Sequence, residues 1–391
     1  MSFARIRKIA FPTIARGALP IVLLVFVASA FVLPKGPDYA LVFYLAVAPA
    51  VLLGAWARNP AARSGAEPAS WSAAMLLIFW SMATLIWGRD DGHRTGQFAL
   101  AAVMTALFVA GLLTAAGDAG LRRRLATTLI WAGTANAVLS VGLGPFLPQN
   151  GERLHGWGAT SHPILGASVM TAPYLAALVR ALSERRWRAA HLGAAGAMLL
   201  FILLTESRGP LFASTVGTLV VCAGGPWRTR ALGGLAAFAL AWRLLPAGLR
   251  HHQTALLVAR GASHRFEIWH RTLQMVAAHP LFGNGLAANL DLPGMTFPHD
   301  LYLSVLFYSG AVGAALFLVL TVLVTRQLWR GRNGGPEWLW LLALWVSTIL
   351  AGLTDLGQIT KGPGPMWFIF WLPVGLILAR QSNPKEKKAA F

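Results

Sequence analysis

The residues with chemistry in them collect in two places. Between Leu249 and Asp300 the chain carries Arg250, His251, His252, Arg260, His264, Arg265, His270, Arg271, His279 and His299. Upstream, Arg208 sits in the short connection Thr205-Glu206-Ser207-Arg208-Gly209-Pro210. A guanidinium offers planar, forked donors that match two phosphate oxygens. A neutral imidazole accepts a proton near neutral pH. Together these side chains form an anion grip beside a base. That is the equipment for displacing a phosphate-bearing group with a deprotonated nucleophile.

Pro298-His299-Asp300 precedes the apolar Leu301-Tyr302-Leu303, which puts His299 at the start of a helix. The partial positive charge of a helix N-terminus favours the uncharged imidazole, and Asp300 opposes it. A histidine there can equally cap the helix or stand wetted at an interface. Arg208 opens another helix, whose free N–H groups also favour an anion. It can instead snorkel at the membrane surface or pair with Glu206. Arg265 can be no more than a solvated charge on a helix face.

The elements that must position these residues are membrane spans. Of the 391 residues 56% are hydrophobic and only 12% charged, against about a quarter charged in soluble proteins. The net charge of +19 does not indicate nucleic acid, because most Lys and Arg lie in short gaps between apolar runs. A span needs roughly 20 apolar residues. Runs at 18–34, 38–56, 71–88, 97–116, 124–146, 162–182, 190–205, 210–224, 231–248, 301–325, 337–354 and 364–380 predict about twelve transmembrane helices. Pro210 just after Gly209 suits the first turn of a new helix and separates the seventh run from the eighth. The fold class is therefore all-α and polytopic, with residues 1–391 as a single transmembrane domain. The first apolar run lacks a small-residue cleavage site and reads as a retained helix.

Cationic residues alternate between connections. Arg5 to Arg16, Arg58 and Arg63, Arg122 to Arg124, Arg180 to Arg188, Arg228 and Arg230, Arg326 to Arg332, and Arg380 to Lys388 fall on one side. The other side holds only Lys35, Arg89, Arg94, Arg153, Arg208 and Lys361 in its short loops. Both termini are then cytoplasmic, and 249–300 is a large outer loop. Within it, 263–278 reads as a helix too short and polar to span. Ser263 is its cap, and Phe266, Trp269, Leu273 and Val276 form a stripe against the bundle or lipid. His279-Pro280 ends the helix, and Gly283-Asn284-Gly285 supplies a turn.

Lesser candidates for the same site are Arg89, with Asp90, Asp91, His93 and Arg94; Arg153, with His155 and His162; Arg271; and Asp355, with Lys361. Clusters of this kind are most often solvated faces. Trp56, Trp71, Trp87, Trp157, Trp338 and Trp367 near run ends read as an interfacial belt. Cys222, the sole cysteine, lies in an apolar run and reads as packing. There is no glycine-rich nucleotide loop, His-Glu-x-x-His or outer Asp-x-Asp pair, so no metal and no cofactor is called for. Few acidic residues lie in the runs, which argues against an ion-coupled transporter.

Ser207-Arg208-Gly209 opening a run, Arg265-Phe266-Glu267-Ile268-Trp269, His279-Pro280-Leu281-Phe282-Gly283-Asn284-Gly285, and Pro298-His299-Asp300-x-Tyr-Leu with Gly310-x-x-Gly313 together resemble the O-antigen ligase and polymerase superfamily. The motifs cover about residues 200–325, and the layout is most similar to the O-antigen ligases of Gram-negative bacteria. The resemblance implies a C-type glycosyltransferase-like architecture in the bacterial inner membrane with a helical periplasmic loop. It also implies an inverting, metal-independent transfer of O-antigen polysaccharide from undecaprenyl diphosphate to a sugar of the lipid A core. By position, Arg208 and Arg265 match the arginines that hold the diphosphate, and His299 matches the essential loop histidine. Many relatives carry Asn or Ser where this chain has Asp300. An O-antigen polymerase, a protein O-oligosaccharyltransferase and a non-enzymatic lipid-glycan flippase are the alternatives. Beyond membrane lipid, the partners implied are the lipid-linked donor and the lipid A core acceptor.

Overall fold

A computed structural model of the chain describes residues 3–56, 67–88, 94–143, 153–225, 265–293, 295–332, 334–354 and 356–380. Among the described residues the protein is helical throughout, with one isolated bridge between Leu292 and Met295. In chain order the helices are α1 (Phe3–Val32), α2 (Gly36–Val42 running through a π-turn at Phe43–Val47 into Ala48–Trp56), α3 (Pro68–Ala83), α4 (Thr95–Ala115), α5 (Ala119–Leu143), α6 (Pro163–Ser183), α7 (Arg188–Leu204), α8 (Arg208–Gly224), α9 (Arg265–Ala278), α10 (Leu301–Arg330), α11 (Gly335–Gly352) and α12 (a π-turn at Trp367–Trp371 continuing as Leu372–Ala379). Six helical stretches are long and apolar enough to cross a membrane by length and composition: Gly36–Gly54, Pro68–Ile86, Thr95–Ala115, Ala119–Leu143, Pro163–Ser183 and Leu301–Arg330. Shorter apolar helices lie at Gly17–Val32, Arg188–Leu204 and Trp367–Ala379. The expected run at 231–248 lies outside the described residues.

Helix α6 sits at the centre. Its small residues Gly166, Ala167, Ser168, Ala172, Ala176, Ala177 and Ala181 let α5, α7, α8 and α11 pack closely around it. A Cβ at Gly133 of α5 would stand 2.9 Å from Pro173 Cγ, so the two backbones meet there at glycine distance. The same core extends between α1, α2, α4 and α12 through Phe26, Phe43, Phe108, Trp367 and Phe368. Trp367 corrects a sequence expectation. It is fully buried, stacks on Phe108 at 4.6 Å and donates through Nε1 to Thr105 Oγ1 at 2.9 Å. Its indole N–H finds a partner inside the bundle, so the ring is free to leave the interface.

Contacts between described connections fall at two ends of the bundle. At one end Arg122, almost fully buried, pairs with Glu337 and donates to Ala116 O and Gly117 O. There Arg180 also donates to Arg123 O at 3.0 Å and Arg330 to Glu67 Oε2 at 3.1 Å. At the opposite end Gly158 N–H donates to Pro34 O, Leu154 N–H to Leu204 O, and Leu286 N–H to Thr84 Oγ1. The first end is the cation-rich one.

Helix α10 is broken at Gly310 (φ 62, ψ −165). The segment 280–285 fills the break. Asn284 N–H donates to Phe307 O at 2.8 Å and Gly285 N–H to Tyr308 O at 3.1 Å. Ala311 N–H donates to Pro280 O at 2.9 Å and Val312 N–H to Leu281 O at 3.2 Å, while Trp80 Nε1 serves Ser309 O. A break in an apolar helix survives only when such freed groups are paired again inside protein. The stretch expected as a simple turn is thus a main-chain patch. Built Cβ atoms on Gly283 and Gly310 would each fall 2.6 Å or closer to the other strand's backbone.

Candidate functional site

The end of the bundle opposite the cation-rich one carries the expected site residues in two groups. The first is the turn between α7 and α8. Glu206 adopts φ 49, a left-handed backbone that is uncommon outside glycine. Ser207 is the N-cap residue of α8, yet its hydroxyl makes no cap hydrogen bond. It accepts instead from Arg153 Nη2 at 2.6 Å and donates to Thr205 O at 3.2 Å. Arg153 Nε donates to the same Thr205 carbonyl at 2.9 Å. Arg208 follows, exposed, at the first position of α8.

The second group is the lead-in to α10. His299 has φ 53, also left-handed, and its ring stacks on Phe297 with centroids 3.8 Å apart. Asp300, not His299, is the helix N-cap, accepting from Leu303 N–H at 2.8 Å. The imidazole therefore stands one residue outside the helix. Burial pushes the Asp300 carboxyl above its ordinary range. The N–H groups of Leu303 and Tyr302 and the charge of Arg265 pull it back. Arg265, the first residue of α9, is thus the cation facing the residue that follows His299.

The connection from α11 to α12 touches both groups. A Cβ on Gly209 would meet the side chain of Thr354, and one on Gly357 would stand 3.0 Å from the Phe297 ring. Glycine at those two positions lets the α8 N-terminus and the Phe297–His299 stack close on one connecting segment.

Other candidates have different employment. Arg271 donates to Leu290 O at 3.3 Å and lies 3.8 Å from Asp291, tying α9 to the segment before α10. His162 caps α6, accepting from Leu165 N–H at 3.4 Å. His162 is thus engaged at the start of α6, and Arg153 at the turn between α7 and α8. The stripe expected on α9 divides between bundle and surface. Ile268 and Thr272 are its buried residues, with Trp269, Met275 and Val276 partly covered, while Phe266 and Leu273 are 74% and 52% exposed. Arg89, with Asp90, Asp91 and His93, lies outside the described residues, as do Asp355, Ser263 and the loop cations before Arg265.

Sequence reasoning missed the Arg153 brace and the Phe297 platform. It also missed Asn136, whose amide donates to Phe31 O at 2.7 Å and accepts from Thr160 Oγ1 at 2.9 Å, pinning the 153–161 segment to the bundle. A lone Asn in an apolar run was the available signal for the last of these.

Residues 193–318 match the profile of the O-antigen ligase family. The O-antigen ligase of Pseudomonas aeruginosa is 30% identical over 371 residues, covering 92% of this chain and 90% of that one. This chain belongs to the O-antigen ligase family. Membership implies a glycosyltransferase-type enzyme. The matched segment takes in the Arg208 turn, Arg265, His299 and the patched break at Gly310. Arg153, which braces that turn, lies outside it.

Proposed function

We propose that this protein is an inverting glycosyltransferase that moves O-antigen polysaccharide from undecaprenyl diphosphate to a lipid A core sugar. The observation that carries the reading is the pairing of an exposed arginine at a helix N-terminus with a histidine and a second arginine at the same end of the bundle. Arg208 and Arg265 bind the diphosphate, and His299 is the general base. The acceptor hydroxyl oxygen attacks the anomeric carbon as His299 takes its proton. The bond from that carbon to the diphosphate oxygen breaks, and undecaprenyl diphosphate leaves with its charge held by the guanidinium groups. Attack opposite the leaving group inverts the centre. The cations supply the electrostatic stabilisation that a metal would otherwise give.

The orientation belongs to the same proposal. Twelve spans with the cation-rich end cytoplasmic, in the bacterial inner membrane, put both termini inside and the site in the periplasm. In support, Gly224 packs on Leu339 near the cation-rich end while Arg265 faces Asp300 at the other. The span we propose at 231–248 is consistent with these two positions.

Purified protein with lipid-linked donor and lipid A core acceptor tests the reading. His299→Ala should lower transfer by roughly a hundred- to ten-thousand-fold, the usual contribution of a positioned base. Wild-type transfer by that variant would remove His299 from the mechanism. Activity should persist in excess chelator, and a loss restored by magnesium would refute the metal-free step. In cells, loss of the gene should leave long lipid-linked glycan beside bare lipid A core. Single repeats on the core would point to a polymerase.

A further inference from the structure

We infer that Arg153 is a positioning residue, which sets Arg208 by holding Ser207 away from its cap. The inference rests on the reading of Arg208 as a diphosphate ligand. Serine is among the favoured N-cap residues because its oxygen accepts from a first-turn N–H. Ser207 stands at that position of α8 and makes no such bond. Its hydroxyl is turned into a closed triangle: Arg153 Nη2 donates to Ser207 Oγ at 2.6 Å, Arg153 Nε to Thr205 O at 2.9 Å, and Ser207 Oγ to Thr205 O at 3.2 Å. Ser207 and Thr205 are both buried.

Two consequences follow from the triangle. The left-handed backbone at Glu206 is a conformation a non-glycine residue keeps only when its surroundings enforce it, and Arg153 grips the residues on either side of it. The first-turn N–H groups of α8 also lose their natural side-chain acceptor, since Pro210 has no N–H and Ser207 Oγ is engaged elsewhere. They are left to an outside anion, the same one that Arg208 meets. Arg153 itself is anchored through its neighbour, because Leu154 N–H donates to Leu204 O at 3.3 Å. It therefore acts as a strut between two connections, using the Nε and Nη2 donors of one edge of its guanidinium on protein. A lysine could supply the charge at this place but not the two-point hold.

The test is a double-mutant cycle in full-length protein in nanodiscs, with undecaprenyl-diphosphate-linked glycan as the varied substrate. Ser207→Ala and Arg153→Lys should each raise the donor KM about tenfold, the scale of one lost charge-assisted hydrogen bond, with kcat within about twofold. The double variant should be no worse than either single one. Ser207→Thr, which keeps the hydroxyl, should restore the wild-type KM. A defect in Arg153→Lys with none in Ser207→Ala, or additive effects in the double variant, would overturn the inference and make Arg153 a direct ligand. Arg208→Lys is the reference. If it leaves the donor KM unchanged, the diphosphate reading fails and takes this inference with it. If it raises KM while Ser207→Ala and Arg153→Lys do not, the inference fails alone.

Discussion

Gly310→Ala is the sharpest probe of the way the 280–285 segment meets α10. The glycine has φ 62 and ψ −165, a region essentially reserved for glycine, where any other residue costs of order 1–3 kcal/mol. The added Cβ would also stand 2.3 Å from Leu281 O, so the patch must withdraw. Withdrawal breaks at least the bonds from Ala311 N–H to Pro280 O and from Val312 N–H to Leu281 O. Each of the two buried N–H groups left unsatisfied costs about 1–3 kcal/mol. The total comes to about 3–9 kcal/mol, a large share of the 5–15 kcal/mol that typically separates folded from unfolded protein. The same patch leads from α9 toward His299, so transfer should fall together with stability. Thermal unfolding followed by tryptophan fluorescence suits the case, because Trp80 donates to Ser309 O beside the break. The matched control is Gly196→Ala in α7, where a Cβ meets nothing within 4 Å. That change should be neutral or raise stability by up to ~1 kcal/mol. A Gly310→Ala protein that melts and transfers like the parent would refute the argument that backbone pairing holds the break.

Asp300 carries a pH prediction. Burial raises its folded-state pKa above the ordinary value of about 4, so the folded protein holds that proton more tightly than the unfolded chain. This group's contribution therefore favours folding at low pH and is lost as pH rises from about 4 through the raised value. Asp300→Asn keeps a good N-cap and should melt above the parent at pH 7, with the gap closing toward pH 4. Asp300→Ala loses the cap to Leu303 N–H and should be less stable than Asp300→Asn by about 1 kcal/mol. A pH-independent gap between parent and Asp300→Asn would contradict the burial argument. Trp367→Ala should cost about 3–5 kcal/mol as a core truncation, read as a lowered melting temperature; a surface tryptophan would cost little.

Helix identity was written in the sequence because an apolar run of span length has few other folds open to it in lipid. Every expected run within the described residues falls on a helix, and the break between α7 and α8 falls at the Arg208 turn, next to the predicted Gly209-Pro210 junction. Arg208, Arg265 and His299 could be picked out as candidates too, since residue type and a place near a helix start are local facts. Long-range pairing was not. Nothing local says that Gly283 and Gly310 touch or that Arg153 reaches across 54 positions to Ser207. How the α9 stripe divides was open in the sequence, because four apolar residues at helical spacing do not say which of them meet protein and which meet lipid. Trp367 went inward because Phe108 and Thr105 offered it a ring face and a hydroxyl, partners brought by another helix. Sequence determined which segments are helices and which side chains could react. Tertiary structure decided their partners, because contacts between residues far apart in the chain depend on the packing of whole helices and leave no periodic trace in any one of them.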